Sequence, residues 1–282
     1  MTAQLQIVRE PAALSAAVAD WQRQGARVAF VPTMGALHAG HLALVAEGLK
    51  RADKVVASIF VNPKQFGPTE DLDRYPRDEA GDAARLAEAG CGLLYAPGVV
   101  TMYPPGFALF VRVERLPDRL CGAVRPGHFD GVATVVSKLL SAARADVAVF
   151  GEKDWQQLAI IRRMAADLDM PVEIVGCAIV RDPDGLALSS RNLFLTEDQR
   201  RRSLALPRAL VEARDALRAG VPVPQAVAVA RQRLERAGFA RVDYVELVDA
   251  DRLTPLDAVV EPARILAAAV MGTTRLIDNL AV

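Results

Sequence analysis

Over the first 180 residues, short continuous apolar runs alternate with segments of helical period. Arg27–Val31, Val55–Val61, Leu93–Ala96, Phe107–Val113, Val147–Phe150 and Val172–Val180 read as strands, and His41–Arg51, Asp78–Ala89, Val132–Ala143 and Asp154–Leu168 as helices. Strands that are apolar throughout and alternate with helices imply a parallel sheet covered on both faces. In such sheets ligands bind beyond the carboxyl ends of the strands, at the loops that lead into helices.

After the turn cluster Arg181–Gly185, "RDPDG", the pattern changes. Thr196 and Gln199 have capping-box spacing and predict a helix running to about Ala219. A second helix is expected over Pro224–Ala237, followed by strands at Val242–Val248, Ile265–Val270 and Arg275–Leu280. Helices and then strands, without alternation, suggest a smaller α+β unit. The expectation is an α/β protein. A Rossmann-like parallel sheet with helices on both faces spans residues 1–182, and a C-terminal α+β domain spans 183–282.

Composition excludes several classes. The 282 residues are 52% hydrophobic and carry 34 basic and 34 acidic side chains, so the basic stripe of a nucleic-acid-binding surface is missing. The N-terminal stretch lacks the basic region and long apolar core of a signal peptide, and no apolar run is long enough to span a bilayer. Cys91, Cys121 and Cys177 are scattered and odd in number, which argues against disulfides or a zinc site. A cytoplasmic protein is expected. Only five of the basic residues are lysines (Lys50, Lys54, Lys64, Lys138 and Lys153), so a lysine in a Gly-rich loop stands out.

The chain has three histidines, and two of them fall in "VPTMGALHAGHLALV", residues 31–45, at the junction of the first strand and the next helix. Gly35 permits a tight turn there. Helix N-termini attract phosphate, and three-residue spacing puts His38 and His41 on one face of the first turn. Two imidazoles so placed can donate hydrogen bonds to phosphate oxygens as charge builds in a transition state. A Walker motif is ruled out because His41-Leu42 stands where Lys-Ser/Thr is required. A GxGxxG fingerprint is missing, and no third ligand supports a metal pair. The bland alternative is a histidine pair that only caps and packs a helix.

Other candidate segments lie at comparable chain positions. "VNPKQF" carries Lys64 and Gln65, "RPGHFDGV" carries His128, "FGEKDWQQ" carries Lys153, and "LALSSRN" carries Ser189, Ser190 and Arg191. Each has a plain reading: a solvated lysine, a turn histidine, or Gln157 serving only as the N3 partner of an Asp154 cap.

"PTMGALHAGH" resembles the HxGH form of the HIGH motif of adenylate-forming synthetases and nucleotidyltransferases. Together with "SIFVNPKQF", "RPGHFDGVATVVSKL", "VFGEKDWQQL", "DGLALSSRN" and the terminal "RLIDN", the chain is similar to the pantoate–β-alanine ligase family from about Ile7 to its C-terminus. The resemblance implies activation of pantoate by ATP to an acyl adenylate, followed by capture with β-alanine. It places ATP along Met34, Gly35, Ala36, Leu37, His38, Ala39, Gly40 and His41, with His41 as the family's proton donor. It adds Gly151, Glu152, Lys153 and Asp154, then Val180 against adenine, and Leu188, Ser189, Ser190 and Arg191 as a loop over the triphosphate. Catalytic roles fall to His38, His41, Lys153, Ser189, Ser190 and Arg191. Gln65 and Gln157 match pantoate-binding positions. Mg²⁺ is expected with ATP, no organic cofactor is expected, and no protein ligand for the metal can be read. The family implies a homodimer. Two positions depart from its common pattern: Cys121 stands where Glu is usual, and Asp130 where Arg is frequent. They bear on the loop around His128.

Two rival functions share the motif. A nucleotidyltransferase would keep the nucleotide on its product, but a phosphorylated substrate calls for more basic contacts than the pair Gln65 and Gln157. A non-catalytic nucleotide sensor need not retain His38, His41, Lys153 and Arg191 together.

Overall fold

The computed structural model describes residues 5–68 and 70–282. Its larger sheet has six parallel strands: β1 (Gln6–Val8), β2 (Val28–Thr33), β3 (Lys54–Ile59), β4 (Leu93–Tyr95), β5 (Val147–Gly151) and β6 (Glu173–Cys177), in the order β1-β4-β3-β2-β5-β6. Seven helices accompany it: α1 (Pro11–Arg23), α2 (Ala39–Leu49), α3 (Glu79–Glu88), α4 (Val99–Met102), α5 (Leu120–Val124), α6 (His128–Ala143) and α7 (Trp155–Asp167). After Cys177 come α8 (Glu197–Ser203), α9 (Ala205–Arg218), α10 (Val223–Arg236) and an antiparallel sheet β7 (Arg241–Asp249), β8 (Ala263–Met271), β9 (Thr274–Ala281).

Residue alternation divides the core. Val28 and Phe30 of β2 face α1, α6 and α7, where Leu14, Val18, Leu139, Leu158 and Ile161 are buried. Ala29 and Val31 face α2 and α3, packing with Val45 and Leu86. A fully buried side chain of this size contributes about 1.5–3 kcal/mol, so the apolar runs fix the sheet register by burial on both faces. The C-terminal sheet has its own core with α9 and α10, built on Leu206, Leu210, Leu234 and Ile265. Its other face, through Tyr244, Val248 and Leu266, joins the core of the large sheet. Among the described residues no helix is long and apolar enough to cross a membrane.

Three expectations change, and two N-terminal elements lie outside the pattern read from the sequence. Phe107–Val113 has strand-like side chains but pairs with no neighbour, and the segment runs as an irregular loop. The helix opened by Thr196 does form its capping box with Gln199, but it breaks at Leu204 into α8 and α9. Asp154 is not a side-chain cap; a 3₁₀ turn over Glu152–Asp154 runs directly into α7, which leaves Gln157 free of that role. Finally, β1 and α1 were not anticipated. Pro11 at the first helical position and the four-residue spacing of the buried Leu14 and Val18 are the signals that mark α1.

Candidate active site

The chain leaves β2 toward β3 on one side of the sheet, while β5 adds on the other side of β2. That reversal makes a crevice at the carboxyl ends of β2 and β5, the place where open α/β sheets bind ligands. The HxGH segment follows β2, and Gly151–Asp154 follows β5.

His38 is the N-cap of α2. Its Nδ1 accepts from the Gly40 amide at 3.1 Å, and the His38 amide in turn donates to Nδ1 of His41 at 3.3 Å. The two imidazoles thus form a reciprocal capping box, with ring centroids 4.1 Å apart. A Cβ at position 40 would approach the His38 ring to 2.9 Å, which accounts for the glycine between the histidines. An Nδ1 that accepts carries no proton, so each neutral ring has its N–H at Nε2. Burial is the main reason both rings resist protonation; His38 is pushed down to about 4 and His41 to about 3, with Lys153 adding to both. Two neutral Nε2–H donors result.

The backbone of the preceding turn is less available than its place at a helix N-terminus suggests. The amides of Ala36 and Leu37 donate to the two carboxylate oxygens of buried Asp82, at 2.8 and 2.9 Å. The Gly35 amide donates to Thr33 Oγ1 at 3.1 Å. The amides of this turn are therefore already paired within the chain.

Opposite the histidines, buried Asn62 orients Gln65. Asn62 Nδ2 donates to Gln65 Oε1 and to the Gly131 carbonyl, both at 3.0 Å, while Tyr103 Oη donates to Asn62 Oδ1 at 2.7 Å. Gln65 Nε2 faces Met34 Sδ at 3.3 Å. The close approach of α6 needs Gly131, because a Cβ there would meet the Lys64 carbonyl oxygen at 2.2 Å. His128 donates from Nδ1 to the Gln65 carbonyl at 2.8 Å and accepts at Nε2 from Arg125 at 2.9 Å. Burial and the neighbouring guanidinium push it down to about 4. Arg125 is in turn held by Glu70 in a bidentate ion pair.

Arg191 lies in the loop after β6 and makes two hydrogen bonds to Asp71, at 2.8 and 3.0 Å. Burial opposes the charge of both, but the pairing prevails, raising the Arg191 pKa and lowering that of Asp71. Ser189 caps the 3₁₀ turn Ser190–Phe194 by accepting from the Arg191 amide. Lys153 Nζ stands 3.6 Å from the Asp154 carboxylate.

Two adjoining cavities of about 720 and 240 Å³ occupy the crevice, and Arg125, His128, Lys153, Asp154, Gln157, Ser189 and Arg191 border both. Met34, His38, Gly40, His41, Gln65, Gly151, Val180, Leu188 and Ser190 line the smaller one. Gly35, Ala36, Leu37, Ala39 and Glu152 line neither; they form the turn and backbone behind the wall. Asn62, Asp82, Arg125 and Glu70 were missed from sequence, and a buried polar residue beside a Pro- or Gly-rich turn is the only local signal they offer. Cys121 is turned toward the C-terminal sheet, with Sγ 3.0 Å from Tyr244 Oη and its amide on Gln156 Oε1. It is buried, and it braces α5 against β7 rather than against His128. Asp130 sits in the first turn of α6, where a carboxylate suits the helix dipole.

A six-stranded parallel sheet with an HxGH capping box at its switch point defines an α/β nucleotide-binding protein of the HIGH-motif nucleotidyltransferase superfamily. A sequence profile described as pantoate–β-alanine ligase matches residues 6–281. Pantothenate synthetase from Paramagnetospirillum magneticum is 57% identical over 282 residues, covering 100% of this chain and 99% of that protein. The one from Rhizorhabdus wittichii is 58% identical over 278 residues, covering 99% of each. The crystal structure of pantothenate synthetase from Thermus thermophilus superposes with a TM-score of 0.93 at 48% identity, covering 98% of this chain and 99% of that one. A pantoate–β-alanine ligase from Francisella tularensis, complexed with β-γ ATP and β-alanine, superposes with a TM-score of 0.83 at 30% identity, over 98% and 97%. The chain belongs to the pantoate–β-alanine ligase family.

Proposed function

We propose that this chain joins pantoate to β-alanine at the expense of ATP, through a pantoyl-adenylate intermediate. A pantoate carboxylate oxygen attacks the α-phosphorus, and the α–β phosphoanhydride bond breaks to release pyrophosphate. The β-alanine amine then attacks the acyl carbon, loses a proton, and AMP departs as the C–O bond breaks. The observation that carries the reading is the division of one cavity. Neutral amides, Gln65 and Gln157, stand beside an apolar wall of Val132, Val135 and Val136, while His38, His41, Lys153 and Arg191 supply donors and positive charge. The apolar wall suits the dimethyl carbon of pantoate, and neutral amides hold its hydroxyls and carboxylate without quenching the nucleophile.

Phosphoryl transfer asks mainly for positioning and charge stabilisation. His38 and His41 donate from Nε2 to phosphate oxygens; a neutral imidazole does this as a hydrogen-bond donor without giving up its proton. Lys153 and Arg191 add charge, and Ser189 and Ser190 shape the loop that carries Arg191. No side chain needs to form a covalent intermediate.

Among the described residues no group of three or more His, Cys, Asp or Glu is placed to hold a metal. Mg²⁺ would arrive on the triphosphate, since this ion is commonly held by substrate phosphates with few protein ligands. When bound it neutralises phosphate charge. We also assign the two-domain division at residue 182, since β1–β6 precede it and α8–α10 and β7–β9 follow. A homodimer is part of the same reading, supported by the exposed apolar stretch that includes Val100, Leu109 and Phe110. A cytoplasmic location likewise belongs to this proposal.

The test is a nucleotide assay with ATP, Mg²⁺, pantoate and β-alanine, separately and together. AMP and pantothenate in equal amounts, only from the complete mixture, is the expected result. A nucleotide retained on the product would indicate a nucleotidyltransferase instead.

A further inference from the structure

Strand β9 carries the "RLIDN" segment, whose last two residues, Asp278 and Asn279, are 2% and 1% exposed. Both border the larger cavity without belonging to the HxGH, GEKD or SSRN segments. Asn279 spends its whole amide on other parts of the chain. Its Nδ2 donates to the carbonyls of Glu152 and Lys153, each at 2.9 Å, and its Oδ1 accepts from Arg264. The Arg264 guanidinium lies 3.5 Å from the Trp155 ring centroid and reaches the Glu152 carboxylate at 3.4 Å. The segment so gripped is the short 3₁₀ turn over Glu152–Asp154, which has no side-chain cap of its own. Asp278 pairs with Arg181 through hydrogen bonds of 2.7 and 2.8 Å, and Arg181 also donates to the Gly185 carbonyl at 3.1 Å. That contact closes the hairpin whose Arg181↔Ala187 bridge leads into Leu188–Arg191.

We propose that Asn279 is a positioning residue of the nucleotide site: it clamps the Glu152–Lys153 backbone so that the Lys153 ammonium is aimed into the cavity, while Asp278, through Arg181, sets the loop bearing Arg191. Two neighbouring residues of one strand, from the smaller sheet, thereby align two cation-bearing segments that the larger sheet leaves on separate loops. A primary amide is the group the site requires. Two donors meet two successive carbonyls and one acceptor meets a guanidinium, and each buried partner left unpaired would carry a desolvation penalty. This inference rests on the assignment of Lys153 to ATP phosphates.

The experiment is a double-mutant cycle with Asn279→Ala and Lys153→Ala. It is read on equilibrium binding of a non-hydrolysable ATP analogue and on single-turnover pyrophosphate release from ATP and pantoate. Displacing a reacting group by about 1 Å can lower a rate by about 100-fold, so Asn279→Ala is expected to slow the adenylate-forming step about 10- to 100-fold. In the Lys153→Ala background the same change should add no more than about twofold. Capture of chemically supplied pantoyl adenylate by β-alanine should stay within about twofold. Losses that multiply across the cycle, or equal losses in both half-reactions, overturn the proposal. Asn279→Ser, which keeps one donor, serves if the alanine variant does not fold, and is expected to retain more of the adenylate-forming rate. The binding cycle needs no acyl substrate, so it decides the role of Asn279 even if the complete mixture yields no pantothenate, an outcome that sinks only the assigned reaction.

Discussion

Arg191 and Asp71 are locked together by two hydrogen bonds of 2.8 and 3.0 Å on the wall of the larger cavity. The cation assigned to the triphosphate is thus already paired with a carboxylate, and an incoming phosphate competes with that carboxylate for it. Asp71→Asn removes the competing charge. A partly exposed ion pair is worth about 1 kcal/mol, so binding of a non-hydrolysable ATP analogue should tighten by about fivefold. Calorimetry checks this, and weaker binding in the variant would show that Asp71 supports the bound state instead.

The mutual capping of His38 and His41 gives each ring a structural and a chemical role, and one substitution separates them. His38→Asn keeps an acceptor for the Gly40 amide, since Asn is among the best N-cap residues, but its shorter side chain gives up the Nε2–H that reaches the cavity. Loss of one donor to a developing oxyanion lowers a rate by about 100- to 1,000-fold. The melting temperature should stay close to that of the parent, while single-turnover adenylate formation falls by that factor. His38→Ala should lose both, with about 1 kcal/mol less stability. Equal rates for the Asn variant and the parent would leave His38 a cap alone.

These particulars show what a sequence reveals. The HxGH box, the Thr196–Gln199 box and the strand-to-helix junctions are legible because their partners lie within four residues. Asn62 reaches Gly131, Asp82 reaches Ala36 and Leu37, and Asn279 reaches Lys153; nothing local in the chain foretells such contacts across 45 residues or more. The Phe107–Val113 segment misleads for a related reason: its apolar run is genuine, but a strand needs a neighbour to pair with. Asp154 ends a 3₁₀ turn whose carbonyls meet Asn279 from a distant strand, and its side chain makes no cap, so a tertiary contact overlies the local pattern.

The histidines also set a pH response. All three are held below their ordinary value of 6.5, mainly by burial: His38 and His128 to about 4, His41 to about 3. Above pH 6.5 neither the folded nor the unfolded chain binds protons at these sites. As pH falls from 6.5 toward 4, the unfolded chain takes up protons that the folded chain refuses, so stability declines. Glu70 and Asp71, held low by Arg125 and Arg191 against the opposing effect of burial, add to the loss only at lower pH. Urea midpoints should be level between pH 7 and 8 and fall steadily below about 6.5. A midpoint that rises on acidification contradicts the neutral, buried assignment.

Gln65 offers the last test, because its placement and its chemistry can be perturbed separately. Gln65→Ala removes the amide assigned to pantoate, and a hydrogen bond to a charged group is worth about 1.5–3 kcal/mol. Pantoate affinity should therefore fall by roughly 10- to 100-fold, while ATP-analogue binding stays within about twofold. Gly131→Ala acts from behind. A Cβ 2.2 Å from the Lys64 carbonyl forces α6 away from the Pro63–Gln65 turn and strains the Asn62 bridge. Overpacking of this kind costs about 1–3 kcal/mol, so this variant should lose both thermal stability and pantoate affinity. Gln65→Ala should lose mainly affinity, with a smaller loss of stability from the Asn62 donor it leaves unpaired. Calorimetry with each ligand and thermal unfolding of both variants decide the matter: equal weakening of pantoate and ATP by Gln65→Ala would remove Gln65 from substrate selection, and an unperturbed Gly131→Ala protein would show that α6 does not set its position.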